Sequence, residues 1–184
     1  MARPPLPNSH WIESGRLLAG EHPSGSSSTA TRRRLARLLD AGVDCFIDLT
    51  RPAEFESYEA ELAKAARGRK ALYQRHPIPD HGVPESAAAM REILAALDRA
   101  LAEGRTVYLH CRAGIGRTNL VARCWIADQC GGGEAALERL NRHWRDNARS
   151  RTWPTIPETP AQTEFVRGWP PAPVAAAATP PAPT

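Results

Sequence analysis

The run His110-Cys111-Arg112-Ala113-Gly114-Ile115-Gly116-Arg117-Thr118 holds the residues of this chain best suited to chemistry. A cysteine and an arginine stand near its two ends, with two glycines between them. An apolar, strand-like stretch precedes it (Thr106 to Leu109), and an amphipathic, helix-like stretch follows (Leu120, Val121, Cys124, Trp125). A strand, a tight loop and a helix N-terminus make an anion site, because backbone N–H groups converge there and the helix dipole favours negative charge. A cysteine at the floor of such a site is expected to be a thiolate nucleophile. Gly114 and Gly116 let the backbone turn its N–H groups inward, so that Arg112, Ala113, Gly114, Ile115 and Gly116 line a phosphate cradle. Arg117 can bind two phosphoryl oxygens in a planar fork. Thr118 is placed to donate a hydrogen bond to the sulfur, and His110 to brace the loop. The set suits transfer of a phosphoryl group onto sulfur.

Such a loop needs a strand behind it and a helix in front of it. Periodicity predicts a short strand at Arg16–Gly20, a helix over Thr29–Asp40, a strand over Val43–Leu49 and a helix over Thr50–Arg67 with Phe55, Tyr58 and Leu62 inward. A strand over Ala71–Ile78 follows, then a Pro-rich loop from Pro77 to Pro84. A helix over Glu85–Ala102, the strand into His110, and helices to Gln129, over Glu134–Asn147 and over Pro160–Trp169 complete the pattern. Alternating strands and helices predict one α/β domain with a mostly parallel sheet of four to five strands, covered by helices on both faces. The domain is expected over residues 10–169, with a flexible N-terminus over 1–9. The Pro/Ala-rich tail, 170–184, has too few apolar anchors to order itself.

The 184 residues suffice for one sizeable core. With 42% hydrophobic and 24% charged residues, the composition is that of a globular protein. No apolar stretch reaches membrane-spanning length, and no signal peptide opens the chain, so a reducing cytoplasm is expected. Cys45, Cys111, Cys124 and Cys130 fit neither a metal-ligand nor a disulfide spacing. The net charge is +4, and Lys64 and Lys70 are the only lysines. A basic surface attracts phosphorylated or acidic substrates. Arg32-Arg33-Arg34 reads as a solvated helix face, and no aromatic-plus-basic platform suggests nucleic acid.

The stretch His-Cys-x5-Arg-Thr resembles the signature of cysteine-dependent protein tyrosine phosphatases, and the compact chain resembles their dual-specificity-like, bacterial branch. Gly15 to Pro23 and Asp48-Leu49-Thr50 are similar to segments of that branch. The resemblance covers residues 10 to 168. It implies a phosphocysteine intermediate, no metal or organic cofactor, and a phosphorylated protein or peptide as partner; on composition, neither nucleic acid nor membrane is expected as a partner. It also implies a general acid on a loop before the signature. Ile78-Pro79-Asp80 fits that place, 31 residues before Cys111, with turn chemistry as the alternative for Asp80 and Asp48 as the alternative acid. His81 is either a substrate contact or a solvated loop residue. Gln162 resembles a water-positioning glutamine, yet Thr159-Pro160-Ala161-Gln162 is also a good capping box, the favoured reading. Arg51 and Glu54 either line the pocket or begin a helix. Arg112 points outward toward a second acidic group, and the apolar Ile115 argues against a highly phosphorylated lipid head group. Cys45 and Cys124 read as core residues, with a redox pairing to Cys111 as the alternative. Small phosphomonoesters, inositol phosphates and a phospho-partner binding module remain alternative functions.

Overall fold

In the computed structural model, which describes residues 4–130, 132–144 and 148–170, five strands form one sheet. The elements are β1 (Ser9–Glu13), β2 (Leu17–Gly20), α1 (Ser28–Asp40), β3 (Cys45–Asp48), α2 (Glu59–Ala66), β4 (Leu72–Arg75), α3 (Ala87–Ala102), β5 (Val107–His110), α4 (Arg117–Cys130), α5 (Gly133–Trp144), a 3-10 turn (Ala148–Arg151) and α6 (Pro160–Arg167). The strand order is β1-β2-β5-β3-β4. Only the β1–β2 pair is antiparallel. The α/β architecture with a mostly parallel sheet is therefore as expected. Among the described residues, no helix is long and apolar enough to cross a membrane.

β5 lies at the centre, with Leu109 paired to Ala19 on one side and Ile47 on the other. Successive residues of a strand face opposite sides of the sheet. Cys45, Ile47, Val107, Leu109 and Cys111 pack into the larger core with α3, α4, α5 and α6. Leu18, Phe46 and Tyr108 pack into the smaller core with α1 and α2. A sheet buried on both faces explains why its strands read as near-continuous apolar runs. α4 is buried from Arg117 to Ala127 rather than amphipathic as expected, because α3, α5 and α6 pack around it. Its N-terminus points into the loop that leaves β5.

Three expectations are corrected. The chain before Arg16 is not all loop: β1 pairs with β2, and Leu6 is buried in the smaller core, so residues 4–9 are tied to the domain. β1 was invisible because its half-buried sequence, Ser-His-Trp-Ile-Glu, lacks a clear alternation. The helix predicted over Thr50–Arg67 begins only at Glu59. Thr50 instead donates from its N–H and hydroxyl to Asp48 Oδ1, a local turn that competes with helix. Phe55 leaves the inner helical stripe to stack on His22, with centroids 4.1 Å apart. Residues 145–147 of the predicted fifth helix, and 171–184 of the tail, lie outside the described residues.

Leu109 is fully buried in the central strand. Leu109→Ala is expected to cost about 3 kcal/mol. Urea unfolding should show a lower midpoint with an unchanged slope.

Candidate active site

The loop from Cys111 to Gly116 turns every one of its carbonyls outward onto a donor. His110 Nδ1 lies 3.4 Å from the Cys111 carbonyl. The His22 N–H donates to Arg112 O at 3.0 Å, and the Arg149 guanidinium donates to Ala113 O. Asn119 Nδ2 donates to both Gly114 O and Ile115 O, at 3.0 and 2.9 Å. Leu120 N–H closes on Gly116 O at 2.9 Å, the first turn of α4. Among the described residues, none of the N–H groups from Arg112 to Gly116 donates to a protein group. With the carbonyls held outside, these amides face inward at a helix N-terminus, the arrangement that binds an oxyanion. Gly114 is required here: its φ is +74°, and a Cβ would lie 2.4 Å from the Gly20 carbonyl carbon.

Cys111, only 3% exposed, forms the floor of a cleft of about 170 Å³ that is also lined by Asp80, His81, Arg112, Ala113, Gly116, Arg117, Glu158 and Gln162. A wider cleft of about 610 Å³ near Asp98, Trp125 and Arg139 shares no residue with it and holds no cysteine. The Arg117 fork is held by a bidentate pair to Glu54, both distances 2.8 Å. Nη1 also donates to Ile78 O at 3.1 Å, and Nη2 to Asp80 Oδ1 at 2.8 Å. Nε has no protein partner among the described residues. Burial alone would raise the Glu54 carboxyl, but hydrogen bonds from Arg117 and the Arg51 amide hold it below the usual range. Burial opposes the Arg117 charge, and Glu54, together with Cys111 and Asp80, more than restores it.

His110 faces the other layer. Burial pushes the Tyr58 phenol well above its ordinary value, so it stays protonated and donates to His110 Nε2 across 2.6 Å. That leaves the ring proton on Nδ1, facing the Cys111 carbonyl. His22, His110 and Asp48 cluster within metal-ligating distance. Asp48, however, already accepts five hydrogen bonds, from Thr50, Tyr73 and the Arg75 guanidinium. A cation would face that guanidinium, so the cluster fits a bracing network rather than a metal site. Asp48 is fully buried and does not line the cleft, which removes it as an alternative acid.

The remaining sequence candidates divide. Asp80, His81, Arg112 and Gln162 all line the cleft. Gln162 makes the expected capping box with Thr159 as well. The Thr118 hydroxyl does not reach the sulfur: it sits against β2 and donates to Gly20 O at 3.5 Å. The Ile115 side chain packs with Trp144 and Ile156, so it does not read the substrate, and Gly114 likewise contributes only backbone. Glu54 meets Arg117 from the loop before α2, whereas Arg51 lies outside the cleft. Cys45 and Cys124 are buried and free; burial raises the Cys45 thiol to about 12 and the Cys124 thiol higher. Sequence reasoning missed Glu158, Asn119 and Arg149. Only Asn119, one residue past the signature and just before the apolar run Leu120-Val121-Ala122, carried a signal.

Two predictions follow from this geometry. Burial lowers His22 to about 3, and lowers His110 to about 4 despite the opposing charge of Asp48. An unfolded histidine protonates near pH 6.5, so below that value the unfolded chain binds more protons than the native one. Stability present above pH 6.5 should fall as the pH drops toward about 4. Asp48, whose carboxyl lies below its ordinary 3.8, adds a loss only at lower pH. Urea midpoints measured from pH 7 to 4.5 should fall steadily, and His22→Asn should make the fall shallower. Separately, orthophosphate should raise the melting temperature by binding the inward amides. Asn119→Ala, which frees two carbonyls, should abolish that increase.

The family Tc-R-P, "Polymorphic toxin system, DSP-PTPase phosphatase", matches residues 20–130, more than half of the chain. Cyclin-dependent kinase inhibitor 3 of Sus scrofa is 45% identical over 55 residues, covering 30% of this chain and 26% of that protein. Putative tyrosine phosphatase 067L of Invertebrate iridescent virus 3 is 32% identical over 104 residues, covering 51% of this chain and 38% of that protein. The chain spans less than half the length of the curated relatives it matches. The crystal structure of Tk-PTP in its active form shares the fold, with a TM-score of 0.65, 24% identity, and coverage of 86% of this chain and 93% of that one. The family match over residues 20–130 and the shared fold meet in one assignment: the chain belongs to the DSP-PTPase phosphatases of the Tc-R-P family.

Proposed function

We propose that this phosphatase cleaves phosphomonoesters through a phosphocysteine at Cys111, and that its substrate is a phosphorylated protein, phosphotyrosine first. The observation that carries the chemistry is the meeting of Cys111, Arg117 and Asp80 in one small cleft. In the first step the Cys111 sulfur attacks phosphorus, and the bond from phosphorus to the leaving oxygen breaks. The protonated Asp80 carboxyl gives its proton to that oxygen. The cradle amides and Arg117 Nε and Nη2 bind the equatorial oxygens, where charge is spread in the transition state. Glu54 keeps the fork planar to them, and Asp80 leaves Nη2 for the leaving group. In the second step water attacks phosphorus, its proton passes to the Asp80 carboxylate, and the thiolate departs. The residues supply every proton and charge in this scheme.

The walls of the cleft favour a single phosphate. Asp80 and Glu158 place two carboxylates beside Arg112 and Arg117. Arg112 is exposed and lies 3.9 Å from Asp80 Oδ2, whereas Arg117 is already paired. A head group with several phosphates would meet these carboxylates with few free cations. A phosphorylated side chain brings one phosphate and a neutral stem.

Release of phosphate from p-nitrophenyl phosphate should persist in chelator and vanish in Cys111→Ser. Asp80→Asn should lower kcat by about 10²-fold. Loss of wild-type activity in chelator, or turnover by Cys111→Ser, would refute the mechanism. Inositol polyphosphates turned over faster than a phosphotyrosine peptide would refute the substrate class.

A further inference from the structure

The start of α6 touches the cradle and the acid-bearing turn at once. Gly82 N–H donates to Pro79 O at 2.9 Å, closing a turn from Pro79 to Gly82 with Asp80 at its corner. His81, the third residue of that turn, has a φ of +55°, a conformation that a non-glycine side chain resists. Both carbonyls at the far end of the turn are pinned by α6. Thr159 Oγ1 donates to His81 O at 3.3 Å, and Gln162 Nε2 donates to Gly82 O at 2.9 Å. The same Gln162 amide lies 2.9 to 3.1 Å from where a Cβ on Gly116 would sit. The His81 ring stands between Asp80 and Glu158, 3.8 and 3.6 Å from their carboxylates.

The polarity of the Gln162 amide follows from its neighbours. Its Oε1 faces two backbone donors, Glu158 N–H at 3.1 Å and Thr159 N–H at 3.2 Å. An amide oxygen has two lone pairs, and both are taken. No acceptor remains on this side chain to draw a proton from attacking water. Its nitrogen is committed to the acid turn.

We infer that Gln162, with Thr159, is a positioning residue for Asp80, holding the acid over the leaving group in the first step rather than steering water in the second. The inference rests on the proposed acid role of Asp80. Its energetic logic is that proton donation depends on placement, and a turn held at only one end would let the carboxyl drift.

The test is the dependence of kcat/KM on the leaving group, measured with aryl phosphates from dinitrophenyl phosphate to phenyl phosphate. A poor leaving group needs the acid; a good one does not. kcat/KM covers only steps through formation of the phosphocysteine, so a defect in the water step does not enter it. Gln162→Glu keeps an oxygen for both backbone amides, and glutamate suits a capping box, but it cannot donate to Gly82. Its added charge weakens all substrates alike, so the readout is the ratio of phenyl to dinitrophenyl phosphate. Gln162→Met, neutral and without a donor, is the second variant. Either substitution should lower that ratio by about tenfold, in the same direction as Asp80→Asn and by less. An unchanged ratio, or a loss confined to kcat with a burst of released phenol, would overturn the inference. If Asp80→Asn leaves the ratio unchanged, the acid assignment falls and the inference with it. If Asp80→Asn lowers the ratio and the Gln162 variants do not, the inference alone falls.

Discussion

The outward anchoring of the carbonyls from Cys111 to Gly116 is the interaction on which the site depends. A peptide unit that points its oxygen one way must point its N–H the other way. Fixing the oxygens outside therefore places the donors inside. The anchors are the His110 ring, the His22 amide, Arg149, Asn119 and the first turn of α4. They are spread from the end of β2 to the 3-10 turn, so the cradle is a product of the whole domain rather than of its own nine residues. Each anchor also satisfies a carbonyl that would otherwise be costly to leave unpaired so close to the core.

The central strand divides the labour. His110 and Cys111 are neighbours in sequence and face opposite layers. The smaller layer supplies the brace: Tyr58, His22 and Asp48 gather around His110, and Phe55 stacks on His22. The larger layer supplies the helix whose N-terminus faces the cleft. Arg117 joins the two sides, because Glu54 reaches it from the loop before α2, and Leu49 and Ile78 reach it from chain ends beyond β3 and β4. A guanidinium this deeply buried would be costly alone; two carboxylates and two carbonyls make it tolerable and hold its plane.

Local chemistry was legible in the sequence, and long-range partners were not. The signature, the parallel sheet, the Pro-rich loop with Asp80 and the capping box at Thr159 all rest on residues close together in the chain. Their physics is local: glycine freedom, proline rigidity, periodicity and caps. Glu54 was readable only as a pocket or helix residue, because its role depends on Arg117, 63 residues away. The helix expected from Thr50 failed for the same reason, since the Asp48 turn and the Phe55–His22 stack outweigh an apolar stripe. Arg149 looked like one of many arginines, and Glu158 like a loop acid. β1 is an edge strand whose half-buried residues mix polar and apolar types. Thr118 shows the opposite failure: the motif suggested a bond to sulfur, and the packing of α4 against β2 turned its hydroxyl to Gly20.

The scattered origin of the carbonyl anchors ties the shape of the cradle to the completion of folding. β2, β5, α4 and the segment before α6 must all be docked before the loop amides converge. Until then the loop offers an anion no more than an unfolded peptide does. Convergence of the inward amides thus becomes a late and cooperative report on the native state.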